Sequence, residues 1–153
     1  MKNIELVNLL KQKNYHICCA ESCTGGMLNS LLVDVVGASD VLDMGFVTYA
    51  NEAKVKLLGV DNALIDSFGV VSEQVAAQMA QGAARVSGAQ VGVGISGIAG
   101  PGGSENKPEG MVCFGFYIDG KTITATQYFG AAGRSEVRRK SCEFAVNTLL
   151  YNL

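Results

Sequence analysis

The segment YHICCAESCTGGMLNSLLVDVVG, residues 15–37, joins a short apolar run to an amphipathic run through a turn rich in polar residues and glycine. Residues 15–21 have the pattern of a buried strand. The following run predicts a helix over 24–37, with Gly37 as its C-terminal end and an apolar stripe of Met27, Leu28, Leu31, Leu32 and Val35. The turn ESCTGG therefore lies at the carboxyl end of a strand, where α/β folds place their ligands.

The same strand and helix patterns continue outward from this unit in both directions. They predict helices over 3–13, 51–59, 61–69, 73–86 and 135–153, and strands over 41–50, 89–96, 110–118 and 121–129. Ser72 is the expected N-cap of the fourth of these helices, and Asp119-Gly120 is a type I′ turn dipeptide between the last two strands. We therefore expect an α/β fold, a single domain over residues 1–153 with a mixed β-sheet covered by helices on both faces.

Composition narrows the classes of function. The 153 residues are 48% hydrophobic and 17% charged with a net charge of −2, which is typical of a globular protein. The absence of a basic run argues against a nucleic-acid partner, and no apolar run is long enough to cross a membrane. The beginning of the chain lacks a secretory pattern, so a cytoplasmic location is expected. Five cysteines without a C-x-x-C pair indicate reduced thiols rather than disulfides or a zinc site, and no metal or cofactor is expected.

The turn offers two nucleophiles, Ser22 and Cys23. A serine there could attack a substrate whose developing oxyanion meets backbone N–H groups of the turn, around Thr24 and Gly25. Thr24, Gly25 and Gly26 are the substrate-binding candidates of this turn. A thiol at a helix N-terminus is expected to have a lowered pKa and is intrinsically the better nucleophile. Neighbouring residues of an extended segment point in opposite directions, so one of the two faces the cleft. The residues alone leave that choice open, and capping of the helix is an equally good interpretation of Ser22 or Thr24.

A serine nucleophile needs a base. The single histidine, His16, begins the strand and should lie roughly 20 Å from Ser22, so we interpret it as structural. Lys54 is the remaining candidate, because a desolvated lysine loses its proton readily. Asn51 lies one turn before it on the same helix, and the Tyr49 hydroxyl could relay protons or hold the lysine. The alternative is that Lys54 is a solvated helix charge.

Two further regions suggest anion or ring binding. The glycine-rich loop that follows the third strand could form a backbone cradle, and its candidate residues are Ser96, Gly97, Gly100 and Gly102. Arg134 and Arg138 are four residues apart at the start of the last helix and so share a face. Their guanidinium groups suit a phosphate or carboxylate. A surface loop and a solvated helix face are the respective alternatives.

Six motifs together resemble one known family. They are AESCTGG, VTYANEAKVKLLGV, GVVSEQVAAQMAQGA, GISGIAGPGG, KPEG and GAAGRSEVRRKS, in this order from about Ala20 to the C-terminus. The chain is similar in all of them to the CinA C-terminal-domain family, whose members are nicotinamide-nucleotide amidohydrolases, also called NMN deamidases. One departure is the loop sequence GGSENKPEG, where Glu109 adds a negative charge near the predicted site.

The resemblance implies hydrolysis of the carboxamide of nicotinamide mononucleotide (NMN) to nicotinic acid mononucleotide and ammonia, without a metal. It implies Ser22 as the nucleophile, Lys54 as the general base with Tyr49 beside it, and Arg134 or Arg138 as a ligand of the substrate phosphate. It also implies a homo-oligomer. Two alternatives remain: a pyridine-nucleotide-binding or regulatory protein without turnover, and an amidase for a different amide.

Overall fold

The computed structural model describes the whole chain, residues 1–153. The α-helices are α1 (Lys2–Lys13), α2 (Met27–Val33), α3 (Asn51–Leu58), α4 (Asn62–Phe68), α5 (Glu73–Ser87) and α6 (Arg134–Asn152). The strands are β1 (Ile17–Glu21), β2 (Phe46–Val47), β3 (Val91–Gly97), β4 (Met111–Ile118) and β5 (Lys121–Tyr128), and a short 3-10 helix covers Ala38–Asp40. No helix combines the length and the apolar character that crossing a bilayer requires.

The five strands form one mixed sheet in the order β2-β1-β3-β4-β5. Strand β1 runs parallel to β2 and to β3, whereas β4 is antiparallel to both of its neighbours. The carboxyl ends of β1, β2 and β3 therefore meet at one edge of the sheet. The expected mixed α/β architecture is confirmed, and so is the type I′ hairpin, because Asp119 and Gly120 both have positive φ, 44° and 96°.

Helices cover both faces of the sheet, as predicted. The larger core lies on the side of α1, α2 and α6, and a smaller core lies on the side of α3, α4 and α5. Ser72 is the N-cap of helix α5, as predicted, and its Oγ accepts a hydrogen bond from Val75 N. The helix packs directly on β3 and β4, where a Cβ at Gly94 or Gly115 would overlap the Ala76 carbonyl. Glycine is thus required where this helix approaches the sheet.

Two predicted elements have the wrong bounds. Helix α2 begins at Met27 rather than at residue 24, because Gly25 and Gly26 before it have positive φ. Helix α2 ends at Val33 rather than near Gly37, since the β-branched Val33, Val35 and Val36 are weak helix formers, and Gly37 instead begins the 3-10 helix with φ 83°. Strand β2 has two residues rather than ten, because this edge strand pairs only with the last two residues of β1. The shortened β2 nevertheless delivers the chain to the carboxyl end of β1.

Candidate active site

A cleft of about 320 Å³ opens at the carboxyl ends of the parallel strands. Ser22 directly follows β1, and Lys54 lies on α3, the helix after β2. Most of the predicted site residues line this cleft: Ser22, Tyr49, Asn51, Lys54, Ser96, Gly97, Gly100, Gly102 and Arg134. Thr24, Gly25, Gly26 and Arg138 do not line it.

Lys54 and Ser22 form a hydrogen-bonded pair in the cleft. Lys54 is completely buried, and its Nζ lies 3.0 Å from Ser22 Oγ. The same Nζ donates hydrogen bonds to the carbonyl oxygens of Thr48, at 2.6 Å, and Tyr49, at 3.3 Å. Residues that are 32 positions apart in the sequence are thereby held at the distance that proton transfer requires.

Burial makes Lys54 a suitable base. Loss of hydration lowers the pKa of Lys54 to about 8, from an ordinary value of 10.5. A carbonyl oxygen only accepts hydrogen bonds, so the contacts with Thr48 and Tyr49 use two of the nitrogen's hydrogens. In the neutral amine the remaining tetrahedral direction, toward Ser22 Oγ, holds the lone pair. The geometry therefore presents a proton acceptor to the serine hydroxyl.

Tyr49 occupies the site differently from the prediction. Its backbone carbonyl, and not its hydroxyl, contacts Lys54, and the residue as a whole is 62% exposed. The Tyr49 hydroxyl accepts a hydrogen bond of 3.0 Å from Arg134 Nη2. The expectation that the hydroxyl holds the lysine is therefore wrong: as a strand-end residue, Tyr49 turns its carbonyl toward α3 and its ring toward the start of α6.

The glycine-rich loop forms the wall opposite α3. Arg134 Nη1 donates to the Gly100 carbonyl at 2.8 Å, which ties this loop to α6. Glu109 folds back on the loop and accepts a hydrogen bond of 2.6 Å from Gly102 N. The Ser96 hydroxyl donates to the Val70 carbonyl at 2.8 Å, so the site residue Ser96 also fixes the connection between α4 and α5.

Arg138 lies behind the turn rather than in the cleft. Its Nε donates to the Cys23 carbonyl at 3.1 Å, and its Nη2 donates to the Thr24 carbonyl at 3.0 Å. Of the two arginines predicted as phosphate ligands, Arg134 lines the cleft and Arg138 does not. The two arginines share a helix face, yet one turn of α6 is enough to place Arg134 at the cleft and Arg138 at the backbone behind it.

A family model described as the CinA C-terminal domain matches residues 2–153. The chain belongs to this family. It is 46% identical over 150 residues to a nicotinamide-nucleotide amidohydrolase PncC from Enterobacter agglomerans, a match that covers 97% of this chain and 91% of that protein. It is also 44% identical to a CinA-like protein from Kosmotoga olearia. That match covers 93% of this chain but 34% of the longer relative.

Solved structures of CinA proteins share the fold. A CinA superfamily protein from Escherichia coli superposes with a TM-score of 0.96 at 36% identity, covering 99% of this chain and 88% of that chain. A competence/damage-inducible protein from Agrobacterium tumefaciens gives a TM-score of 0.90 at 38% identity, over 99% and 95% of the two chains. These matches confirm both the resemblance and the mixed α/β architecture that the motifs implied.

In this CinA domain the two neighbouring nucleophiles are separated by burial. Ser22 faces Lys54, whereas Cys23 is 6% exposed and belongs to the larger core. Burial raises the pKa of the Cys23 thiol to about 12, so the lowered pKa expected from the helix N-terminus is wrong. Desolvation outweighs the helix dipole, which leaves the thiol protonated and unreactive at neutral pH.

Sequence reasoning missed the buried Glu21, the last residue of β1. Its carboxylate accepts hydrogen bonds from Leu28 N and Asn29 N, both 2.9 Å, and from Asn29 Nδ2 at 2.7 Å. Glu21 thus caps the N-terminus of α2 and fixes that helix against β1. A charged residue at the end of an otherwise apolar strand was the available signal.

Proposed function

We propose that this protein hydrolyses the carboxamide of NMN to nicotinic acid mononucleotide and ammonia, with Ser22 as nucleophile and Lys54 as general base, and without a metal or cofactor. The observation that carries the mechanism is the buried Lys54 Nζ 3.0 Å from Ser22 Oγ at the floor of a cleft. The substrate follows from the 46% identity with a relative that is named nicotinamide-nucleotide amidohydrolase.

Acylation begins with the Ser22 hydroxyl. Neutral Lys54 accepts its proton as Oγ attacks the carboxamide carbon, and the carbonyl oxygen of the substrate becomes an oxyanion. The Cys23 N–H has no backbone hydrogen-bond partner and Cys23 borders the cleft, so this N–H is available to that oxyanion. Thr24 is fully buried and does not line the cleft, so its N–H is not offered to the substrate. The Gly25 N–H is not available either, because it donates to the Ser22 carbonyl at 3.0 Å. The proposed donor therefore precedes the Thr24 and Gly25 N–H groups that the sequence suggested.

Breakdown of the tetrahedral intermediate returns the proton. Protonated Lys54 donates to the amide nitrogen, ammonia leaves, and an ester links Ser22 to the nicotinoyl group. A water molecule then attacks this ester, with neutral Lys54 as base, and the carboxylic acid departs as Ser22 regains its proton. A fixed pyridinium charge in the substrate disfavours the ammonium form of Lys54 and so favours the base.

We assign binding of the nucleotide to the wall of the cleft that the glycine-rich loop and Arg134 form. Arg134 offers a fixed positive charge there, because its guanidinium is held by the Gly100 carbonyl and the Tyr49 hydroxyl. The substrate phosphate would pair with this charge. Ser96, Gly97 and Gly102 would supply the surface against which the ribose and ring lie, and Asn51, the first residue of α3, offers an amide at the rim.

The test is ammonia release from purified protein with NMN, with and without a chelator. The parent should release ammonia equally in both, and Ser22→Ala should lower kcat by at least about 10⁴-fold. Cys23→Ala is the matched control, since it removes the neighbouring nucleophile; it should keep kcat while losing about 1 kcal/mol of stability from the small core cavity.

Other outcomes separate the alternatives. NMN binding without ammonia release by the parent would favour a regulatory nucleotide-binding protein. Release from other amides but not from NMN would keep the mechanism and change the substrate. Loss of activity with chelator, or in Cys23→Ala but not in Ser22→Ala, would overturn the metal-independent serine mechanism.

We also propose one domain over residues 1–153, a cytoplasmic location and a homo-oligomer. The sheet is continuous from β2 to β5, which supports one domain. Size-exclusion chromatography with light scattering measures the oligomeric state directly, and a monomer at micromolar concentration would contradict that part of the proposal.

A further inference from the structure

We propose that Arg138 is a positioning residue that holds the backbone at Cys23, and with it the oxyanion-binding Cys23 N–H of the Ser22 turn; this inference rests on the proposed function. Arg138 is on α6, 115 positions from Cys23 in the sequence, and its Nε donates to the Cys23 carbonyl at 3.1 Å. Its Nη2 donates to the Thr24 carbonyl at 3.0 Å. One rigid guanidinium group thus donates hydrogen bonds to two consecutive peptide groups of the turn.

Hydrogen bonds on either side of Cys23 fix the direction of its N–H. The Ser22 carbonyl and the Cys23 N–H belong to one planar trans peptide, in which C=O and N–H point in opposite directions. The Ser22 carbonyl accepts a hydrogen bond from Gly25 N, so the Cys23 N–H points away from Gly25, and this N–H has no backbone hydrogen-bond partner. On the other side of Cys23, Arg138 holds the carbonyl, so the residue that carries this N–H and borders the cleft is restrained at both of its peptides.

The turn needs such a restraint. Gly25 and Gly26 have φ values of 59° and 102°, and glycine backbones move easily between conformations. The residues that follow are fixed by Glu21, which accepts from Leu28 N and Asn29 N. Arg138 supplies the corresponding restraint at residues 23 and 24, so the turn is held from both sides. Preorganised donors of this kind are worth most when they need no rearrangement during reaction.

Arg138 does not itself contact the substrate in this assignment. It is absent from the lining of the cleft, to which Arg134, one helical turn earlier, belongs. Loss of Arg138 should therefore reduce kcat and leave KM nearly unchanged, while loss of Arg134 should raise KM. This division between kcat and KM distinguishes orientation of the turn from phosphate binding.

The first experiment compares Arg138→Met and Arg138→Lys with the parent in NMN hydrolysis. Direct removal of an oxyanion donor costs about 10²- to 10³-fold, so misorientation by Arg138→Met should lower kcat by about 10- to 100-fold with KM within about threefold. Arg138→Lys restores the charge and one donor and should recover part of the loss. Arg139→Met is the matched control, because Arg139 pairs only with Glu136 and Glu143 on the exposed side of α6; it should keep kcat.

The second experiment does not depend on the natural substrate. A fluorophosphonate reacts with an activated serine: the Ser22 Oγ–P bond forms, fluoride leaves, and Lys54 takes the hydroxyl proton. Its P=O oxygen needs the same donors as the substrate oxyanion, so Arg138→Met should label about tenfold or more slowly than parent and Arg139→Met. The final labelled fraction counts the folded active sites, and kcat is normalised to it.

The outcomes are distinct. If the parent is labelled but releases no ammonia from NMN, the proposed substrate fails and the labelling rates alone judge Arg138. If Arg138→Met keeps kcat and labelling rate within about threefold, or loses only in KM, the positioning role is overturned. If the parent neither hydrolyses NMN nor reacts with the probe, both proposals fail. If Arg138→Met does not fold, the kcat and labelling rate of Arg138→Lys decide.

Discussion

The two ends of β1 each carry a close pair of ionisable or nucleophilic side chains, and the pairs differ in almost every other respect. Before the strand, His16 Nδ1 lies 2.8 Å from Asp43 Oδ2 on the surface, where the two side chains are 42% and 52% exposed. After the strand, Lys54 Nζ lies 3.0 Å from Ser22 Oγ and the lysine is fully buried. Both pairs are thus within hydrogen-bond distance, but the pair at the carboxyl end alone includes a buried residue.

Burial decides which of the two pairs can take part in proton transfer. At the surface, water screens the His16–Asp43 attraction and hydrates both partners. In the cleft, desolvation lowers the pKa of Lys54 to about 8 and prepares a base. The parallel arrangement of β1, β2 and β3 adds the second difference, since it gathers a helix N-terminus and a glycine-rich loop at the carboxyl end. A histidine would be the natural first choice for a base, but here it lies at the wrong end.

Replacement of Lys54 should have the largest effect. Lys54→Met fills a similar volume but offers no lone pair, so kcat should fall by at least about 10³-fold. In the parent, kcat should rise with pH as the ammonium loses its proton, with a midpoint at or below about 8 in the substrate complex. At pH 7 about a tenth of the free enzyme then has a neutral lysine. Steady-state kinetics between pH 6 and 9 measure both quantities.

Glu52 and Lys56 provide the comparison for that result, as charged residues on the same helix that do not line the cleft. Lys56→Met should keep both kcat and the pH profile. A kcat that is independent of pH, or a Lys54→Met variant that retains activity, would show that another group accepts the Ser22 proton.

The stability of the protein should show the cost of the buried lysine. Between about pH 8 and 10.5 the unfolded chain keeps the Lys54 proton while the folded protein has lost it. The unfolded state then binds more protons, so the free energy of unfolding contributed by Lys54 rises with pH over this window. Below pH 8 both states are protonated and the full desolvation cost is present, on the order of 1–3 kcal/mol.

Lys54→Met isolates this contribution. The difference in free energy of unfolding, parent minus Lys54→Met, should increase by about 1–3 kcal/mol from pH 8 to 10.5, while the other titrating groups cancel in the difference. Urea unfolding at several pH values measures it. A difference that stays constant across the window would mean that the pKa of Lys54 is not lowered in the folded protein.

The sequence predicted what local patterns determine. Alternation, turn dipeptides and caps located the hairpin at Asp119-Gly120, the N-cap of α5 at Ser72 and the end of α3 at Gly59. Strand rise alone placed His16 far from Ser22. The predicted boundaries were wrong where tertiary contacts decide, as in β2, whose length depends on how much of β1 it can pair with.

The predictions about the site residues also succeeded where local patterns decide and failed where tertiary contacts decide. Residues that follow strands were correctly brought to one cleft, because parallel strands end at one edge. The positions of the Arg138 and Tyr49 side chains were misjudged, since helical spacing gives a shared face but not the object that each side chain reaches. Local sequence patterns could not predict the burial of Cys23 either. The helix-terminus argument gives its pKa the wrong direction until the core around it is known.

The smallest expected effect belongs to the amino end of β1. His16→Ala removes an exposed pair, so the free energy of unfolding should change by at most about 1 kcal/mol, and kcat and KM should stay at parental values. The backbone N–H of His16 still donates to Gln90 Oε1 at 2.8 Å, so the start of the strand is retained. Asp43→Ala and the double variant complete a cycle whose coupling energy is the strength of the pair itself. A coupling energy above about 2 kcal/mol would show that this exposed pair is strong. A tenfold loss of kcat in His16→Ala would show that a change at the amino end of β1 reaches the active site at its carboxyl end. Either result would remove burial as the property that separates the two ends of the strand.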